Sequence, residues 1–127
     1  MSDQLDNQLV KLVMCSFPDI EKARQIGTHV IKKQLAACVN LIPEIESIYS
    51  WKGKIEVGKE VLCFFKTTNH NYPKLETEII DLHPYENPEI LLIDISDGSK
   101  DYLNWVFASL NNCDWAVISL SDEIPYE

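Results

Sequence analysis

Two β-rich stretches, 45–51 and 55–68, are joined by little more than Lys52-Gly53. So short a connection forces a long antiparallel hairpin. A hairpin of this length projects beyond a 127-residue chain folded as one domain, so its tip, with Tyr49 and Trp51, needs something to pack against. Pro43 interrupts the first arm. Proline donates no ladder hydrogen bond, so it predicts a bulge or an edge between strand pieces 38–42 and 45–51. In the second arm Val61, Cys63 and Phe65 fall on one face, and Leu62, Phe64 and Lys66 on the other.

The flanking segments supply the remaining elements. Segment 9–15 is apolar except for Lys11 and reads as a buried strand. Pro18-Asp19 ends it; Asp19 is the predicted cap of a helix, and Glu21 suits that helix's positive end. Ile20, Ala23, Gly27, Val30 and Ile31 share one helical face. Gly27 costs about 1 kcal/mol of propensity against alanine and points to a close approach to the sheet. After the hairpin, 69–82 predicts a second helix with Pro73 in its first turn and Leu75, Ile79 and Leu82 as its apolar stripe. His83-Pro84 ends it, because the residue before proline leaves the α region. The run 90–95 is the most apolar in the chain and predicts a central strand. Asp97-Gly98 turns, and Ser99 caps a third helix with Leu103, Val106, Phe107 and Leu110 on one side.

The order is β-α-β-β-α-β plus a C-terminal helix, the ferredoxin-like split βαβ pattern of the α+β class, with an antiparallel sheet and two helices on one face. The other face stays bare unless the third helix or another subunit covers it, so association is expected. The domain runs over 9–110, preceded by a polar tail, 1–8. An extension, 111–127, follows, in which 116–120 is a candidate edge strand and the acidic end is expected to fray.

Charge and cysteine spacing narrow the function. Lysine and arginine total 11 against 20 aspartates and glutamates, a formal charge of −9. That balance repels phosphate backbones and anionic lipid, and no basic run longer than Lys32-Lys33 overrides it. Nucleic acid and membranes are therefore not expected partners. No apolar run approaches the roughly 20 residues of a membrane span. The acidic start has neither the basic region nor the apolar region of a secretory leader, so a cytoplasmic location is expected. Four cysteines form no CxxC pair, which removes the usual zinc and thioredoxin readings. Cys38 and Cys63 read as core fillers in a reducing compartment. There is no P-loop and no GxGxxG.

Three stretches taken together resemble the CutA family, named for divalent-cation tolerance. The first runs Gln34-Leu35-Ala36-Ala37-Cys38-Val39-Asn40-Leu41-Ile42-Pro43. The second is Ser47-Ile48-Tyr49-Ser50-Trp51-Lys52-Gly53-Lys54-Ile55, with Glu60-Val61 and Lys66-Thr67 after it. The third is His83-Pro84-Tyr85-Glu86-Asn87-Pro88-Glu89-Ile90, followed by Asp101-Tyr102-Leu103-Asn104-Trp105. The resemblance spans about 9–110. It implies a tight homotrimer, built like the PII signalling proteins, in which long hairpins join edges between subunits and sites lie at subunit clefts.

The resemblance also implies a site. Copper-binding members use a cysteine at the end of strand one and two adjacent histidines before Pro-Tyr. Cys15 and His83 match; Leu82 stands where the first histidine would be. Thiolate and imidazole suit copper or zinc, with Glu86, Glu89 or a neighbouring subunit as the source of a third ligand. The expectation is a weak site for copper or another divalent metal, with no required cofactor. On the residues alone, Cys15 reads equally as core and His83 as the cap of its helix. A Cys15/His83 nucleophile–base pair would need an oxyanion hole that the sequence does not supply, so no enzyme is expected. Trp51, Glu60, Lys66, Tyr85 and Glu89 are the further cleft candidates, with Lys66 paired to Glu60 or Glu89; the group reads either as a structural ion pair at a trimer seam, the preferred reading, or as a holder of an anionic small ligand. His29 and His70 read as solvated. Two functions follow: a trimeric divalent-cation tolerance protein, or a PII-like regulatory trimer holding a small effector or a protein partner.

Overall fold

The long hairpin forms, and its turn explains why glycine follows Lys52. A computed structural model describes residues 9–111. In it Lys52 and Gly53 have φ of 52° and 82°, the double left-handed conformation that matches the twist of the two arms. The arms are β2 (Cys38–Trp51) and β3 (Lys54–Thr68). Their register shifts between Ile42 and Ile45, so Pro43 lies in the expected irregularity.

β1 (Val10–Phe17) pairs antiparallel with the second half of β3, from Val10↔Thr68 to Phe17↔Val61. β4 (Ile90–Asp94) pairs antiparallel with β1 on the other side, giving the sheet order β2-β3-β1-β4. Among the described residues β4 is therefore an edge strand, not the central strand that its composition predicts. Its Leu91, Leu92 and Ile93 stay exposed. Apolar composition signals burial but not by what, and within the described residues β4 pairs with β1 alone. Residues 54–60 of β3 pair only with β2 within the described residues, so the hairpin leaves the sheet as a two-stranded ribbon.

Three helices complete the chain: α1 (Ile20–Lys32), α2 (Tyr72–Leu82) and α3 (Lys100–Asn111). Asp19 caps α1 by accepting from the Lys22 N–H at 2.7 Å. The main core lies between the sheet and the first two helices. Val13, Cys15 and Phe17 of β1 and Val61, Cys63 and Phe65 of β3 meet Ala23, Ile26 and Val30 of α1 and Leu75 and Ile79 of α2. Cys15 and Cys63 are thus core residues, directly opposed in register. Burial pushes the Cys63 thiol up to about 12. α3 packs through Val106 and Leu110 against Val10, whose side chain is on the opposite face to Val13. One end of the second sheet face is thereby covered.

Leu82 does not complete the α2 stripe: it is 40% exposed, because the helix ends there and turns away. His29 is not simply solvated either. Its Nε2 lies 2.7 Å from Glu78 Oε2, tying α1 to α2, with Lys33 Nζ at 3.4 Å from the same oxygen. The hydrogen bond with His29 is the main cause holding the Glu78 carboxyl below its ordinary value. The tail 1–8 and the candidate strand 116–120 lie outside the described residues.

Gly27 is where α1 approaches the sheet. A Cβ there would meet Val39 Cγ1 at 3.0 Å. Gly27→Leu is expected to destabilise the fold by about 3 kcal/mol through overpacking. Gly58→Ala, with open space around it, should change stability by less than about 0.5 kcal/mol. Urea denaturation of both variants checks the contrast.

Candidate functional site

Where β3 leaves β1 and continues as the ribbon, the sheet opens into a cleft of about 820 Å³. β1 contributes Ser16, and the hairpin contributes Ser47, Tyr49, Trp51, Glu56 and Glu60. The segment between α2 and β4 contributes Tyr85, Glu86 and Glu89. Strand alternation explains the grouping. Ser16 shares the face opposite the main core with Glu60 and Leu62, so a hydroxyl and a carboxylate meet beside buried Val61.

A hydrogen-bond network fixes the carboxylates. Glu60 accepts from the Ser47 hydroxyl at 2.8 Å and from the Tyr85 hydroxyl at 2.7 Å. Glu89 accepts from the Ser16 hydroxyl at 3.3 Å. Burial, reinforced by the bond to Glu60, pushes the Tyr85 phenol well above its ordinary range, so it stays a donor at neutral pH. Four glutamates line the cleft, and no lysine or arginine lines it among the described residues. Its field therefore favours cations, opposite to the anionic ligand that is one of the two sequence readings of this group.

His83 forms the wall behind Tyr85. It is 8% exposed and stacks on Phe17 with centroids 4.7 Å apart. Its Nε2 lies 2.8 Å from the Ser16 carbonyl, and its Nδ1 accepts from the Tyr85 N–H at 3.1 Å. That pattern assigns a neutral ring with the proton on Nε2. Burial lowers its pKa below the ordinary 6.5, partly opposed by the Ser16 bond and by Glu60. Its backbone N–H caps α2 on the Ile79 carbonyl at 2.8 Å, so it does end the helix, but as a neutral ring.

Cys15 comes close to His83 because both address one carbonyl. The thiol lies 3.7 Å from the Ser16 oxygen. Burial, then the neighbouring Cys63, Glu89 and Glu60, push the thiol far above its ordinary value, so it remains protonated. The metal-ligand role expected for Cys15 and His83 thus has no free donor behind it. A metal would have to deprotonate a buried thiol and take a ring nitrogen from its hydrogen bond. Among the described residues, no three His, Cys, Asp or Glu side chains converge on one point.

Of the remaining sequence candidates, Trp51, Glu60, Tyr85 and Glu89 come together in the cleft, and Lys66 does not. Lys66 pairs in register with Leu12, four residues along β1 from Ser16, or about 13 Å. Its ammonium donates to the Asn40 side-chain oxygen and lies 3.8 Å from Cys38 Sγ, so neither Glu60 nor Glu89 is its partner. Ser16 and Ser47 are cleft residues that the sequence reading missed. Ser16 had a signal, since it is a hydroxyl between Cys15 and Phe17 in an apolar strand.

The sheet order and the pair of helices on one face define a ferredoxin-like α+β protein. A family model described as CutA1 divalent ion tolerance protein matches residues 11–109. The Divalent-cation tolerance protein CutA of Thermus thermophilus is 41% identical over 96 residues, 76% of this chain and 93% of its own. That of Yersinia pestis is 42% identical over 99 residues, 78% of this chain and 83% of its own. Among solved structures, the divalent cation tolerance protein of Thermus thermophilus superposes with a TM-score of 0.77 at 39% identity, covering 80% of this chain and 98% of that one. The periplasmic divalent cation tolerance protein CutA of Archaeoglobus fulgidus superposes at 0.79 and 31% identity, covering 81% and 100%. The chain belongs to the CutA1 divalent ion tolerance family.

Proposed function

We propose that the protein is a homotrimeric, non-enzymatic member of this family that captures divalent cations weakly in the cleft of Ser16, Glu60, Tyr85 and Glu89. One observation carries the reading: four carboxylates and no cationic side chain among the described residues line the cleft. Glu60 and Glu89 already accept hydroxyl protons, so a cation there keeps most of its water and binds weakly. Oxygen donors favour hard or borderline ions over copper(I). A protonated, buried Cys15 thiol is a poor nucleophile, which supports a binding role over catalysis.

The trimer is supported by exposed apolar surface. Ile48, Trp51, Ile55 and Val57 project from the ribbon, and Leu91, Leu92 and Ile93 lie on the β4 edge, which is open among the described residues. The resemblance supplies the number three. Cys15, Cys38 and Cys63 are free thiols, which suits a reducing cytoplasm. A PII-like regulatory role would use the same cleft, and its aromatic flanks, Tyr49 and Trp51, suit a cationic effector.

Calorimetric titration with zinc(II) and manganese(II) tests the reading. The native chain should bind in the submillimolar to millimolar range. Combined Glu60→Gln and Glu89→Gln should weaken binding at least about tenfold, the loss of charge-assisted contacts. Unchanged affinity in that variant would remove the cleft assignment.

A further inference from the structure

A second cavity, of about 430 Å³, lies at the other end of the sheet between the C-terminal end of α1 and α3. Its walls include Ile31, Lys32, Gln34, Ala37, Trp105 and Ser109. Ser109 is 8% exposed, and its buried hydroxyl oxygen has no hydrogen-bond partner among the described residues. Native interiors rarely leave such a group unbonded, because its lost hydration is not recovered. A helical serine often bonds the carbonyl four residues back; this one does not.

The polar side chains that line the cavity with Ser109 are Lys32, Gln34 and Trp105: the ammonium and the indole N–H only donate, and the Gln34 amide both donates and accepts. Gln34 has φ of 59°, a left-handed conformation held by its N–H on the Ile31 carbonyl at 2.9 Å. Its side-chain amide reaches the Ser109 carbonyl only at 3.5 Å, the outer limit of a hydrogen bond. So long a bond exchanges readily for a better acceptor. Ile31, Ala37 and the indole supply apolar wall, and the volume suits a small ligand.

We infer that this cavity binds a small monocarboxylate with a short apolar body. The carboxylate takes the Lys32 ammonium and the Gln34 amide. Binding draws that amide off the Ser109 carbonyl, and rotation of Ser109 about χ1 gives its hydroxyl an acceptor. Among the described residues one ammonium lines the cavity, which matches a monoanion better than a phosphate. The site is independent of the cleft: it lies toward the Val10 end of β1 and the cleft at the Phe17 end, about 24 Å along the strand. The two select opposite charges, so failure of either leaves the other standing.

The test is titration of the full chain with butyrate and hexanoate, followed by the NMR signal of the Trp105 indole N–H. Trp105→Phe assigns that signal among the three tryptophans. The expected result is a saturable shift with either acid and none with 1-butanol. Lys32→Gln should weaken binding about tenfold. Ser109→Ala, which removes only an unbonded hydroxyl, should keep the fold and weaken binding about threefold. No saturable shift in the folded chain, an equal shift with 1-butanol, or unchanged affinity in both variants would overturn the proposal.

Discussion

Replacing His83 by alanine is expected to destabilise the folded chain by about 3 kcal/mol, a fall in Tm of more than about 10 °C. The ring fills space against Phe17, donates to the Ser16 carbonyl and accepts from the Tyr85 N–H. Alanine leaves a cavity, the part-buried Tyr85 N–H loses its acceptor, and the buried Ser16 carbonyl keeps only the weak Cys15 thiol contact. Glutamine, whose amide can still donate to Ser16, should recover part of the loss. The same ring gives a pH signature. Its folded-state pKa is depressed below 6.5, so the unfolded chain takes up the proton more readily. The His83 contribution is therefore complete above about pH 6.5 and is lost as pH falls from there through the folded value. Urea denaturation between pH 5 and 8 should show this slope in the native chain and not in His83→Ala. A variant within 1 kcal/mol of native would mean that the ring is not the structural wall described here.

The second large effect belongs to Trp51. It is 59% exposed in the single chain, with the Lys52 ammonium over its ring at 5.6 Å. In the proposed trimer it becomes an anchor buried by a neighbour. Truncating such an anchor costs about 2 kcal/mol or more per site, and symmetry repeats the loss three times. Sedimentation equilibrium of the native chain should give three times 14.6 kDa at micromolar concentration. Trp51→Ala should dissociate at concentrations where Lys52→Ala remains trimeric. A monomeric native chain, or equal behaviour of the two variants, would contradict the assembly.

The hairpin, the three helices and the bulge at Pro43 were legible because each carries a local signal. Asp19 caps within three residues, Lys52-Gly53 sets its own φ angles, and the β3 residues alternate. The central-strand reading of β4 differs from its edge position among the described residues, because that position depends on which strands flank β1, a non-local matter that its own composition does not encode. The same limit misplaced Lys66: proximity to Glu60 in sequence does not survive a register that sets it beside Cys38. Among site residues, aromatics and carboxylates near turns were recognisable from type and place. Ser16 and Ser47 were not, since their roles come from the side chains that pairing brings opposite them. His83 was recognisable as important, but sequence cannot say that both its nitrogens are engaged.

Manganese(II) relaxation broadening tests the central claim, cation capture in the acidic cleft, most directly. A paramagnetic ion erases the amide signals nearest to it, so the amides that vanish first locate it. The account predicts early loss at Ser16, Ser47, Tyr85 and Glu89 and retention at Lys66 and Ser109, with zinc(II) competing the effect away. Broadening centred anywhere else, or no site-selective broadening at all, would contradict it.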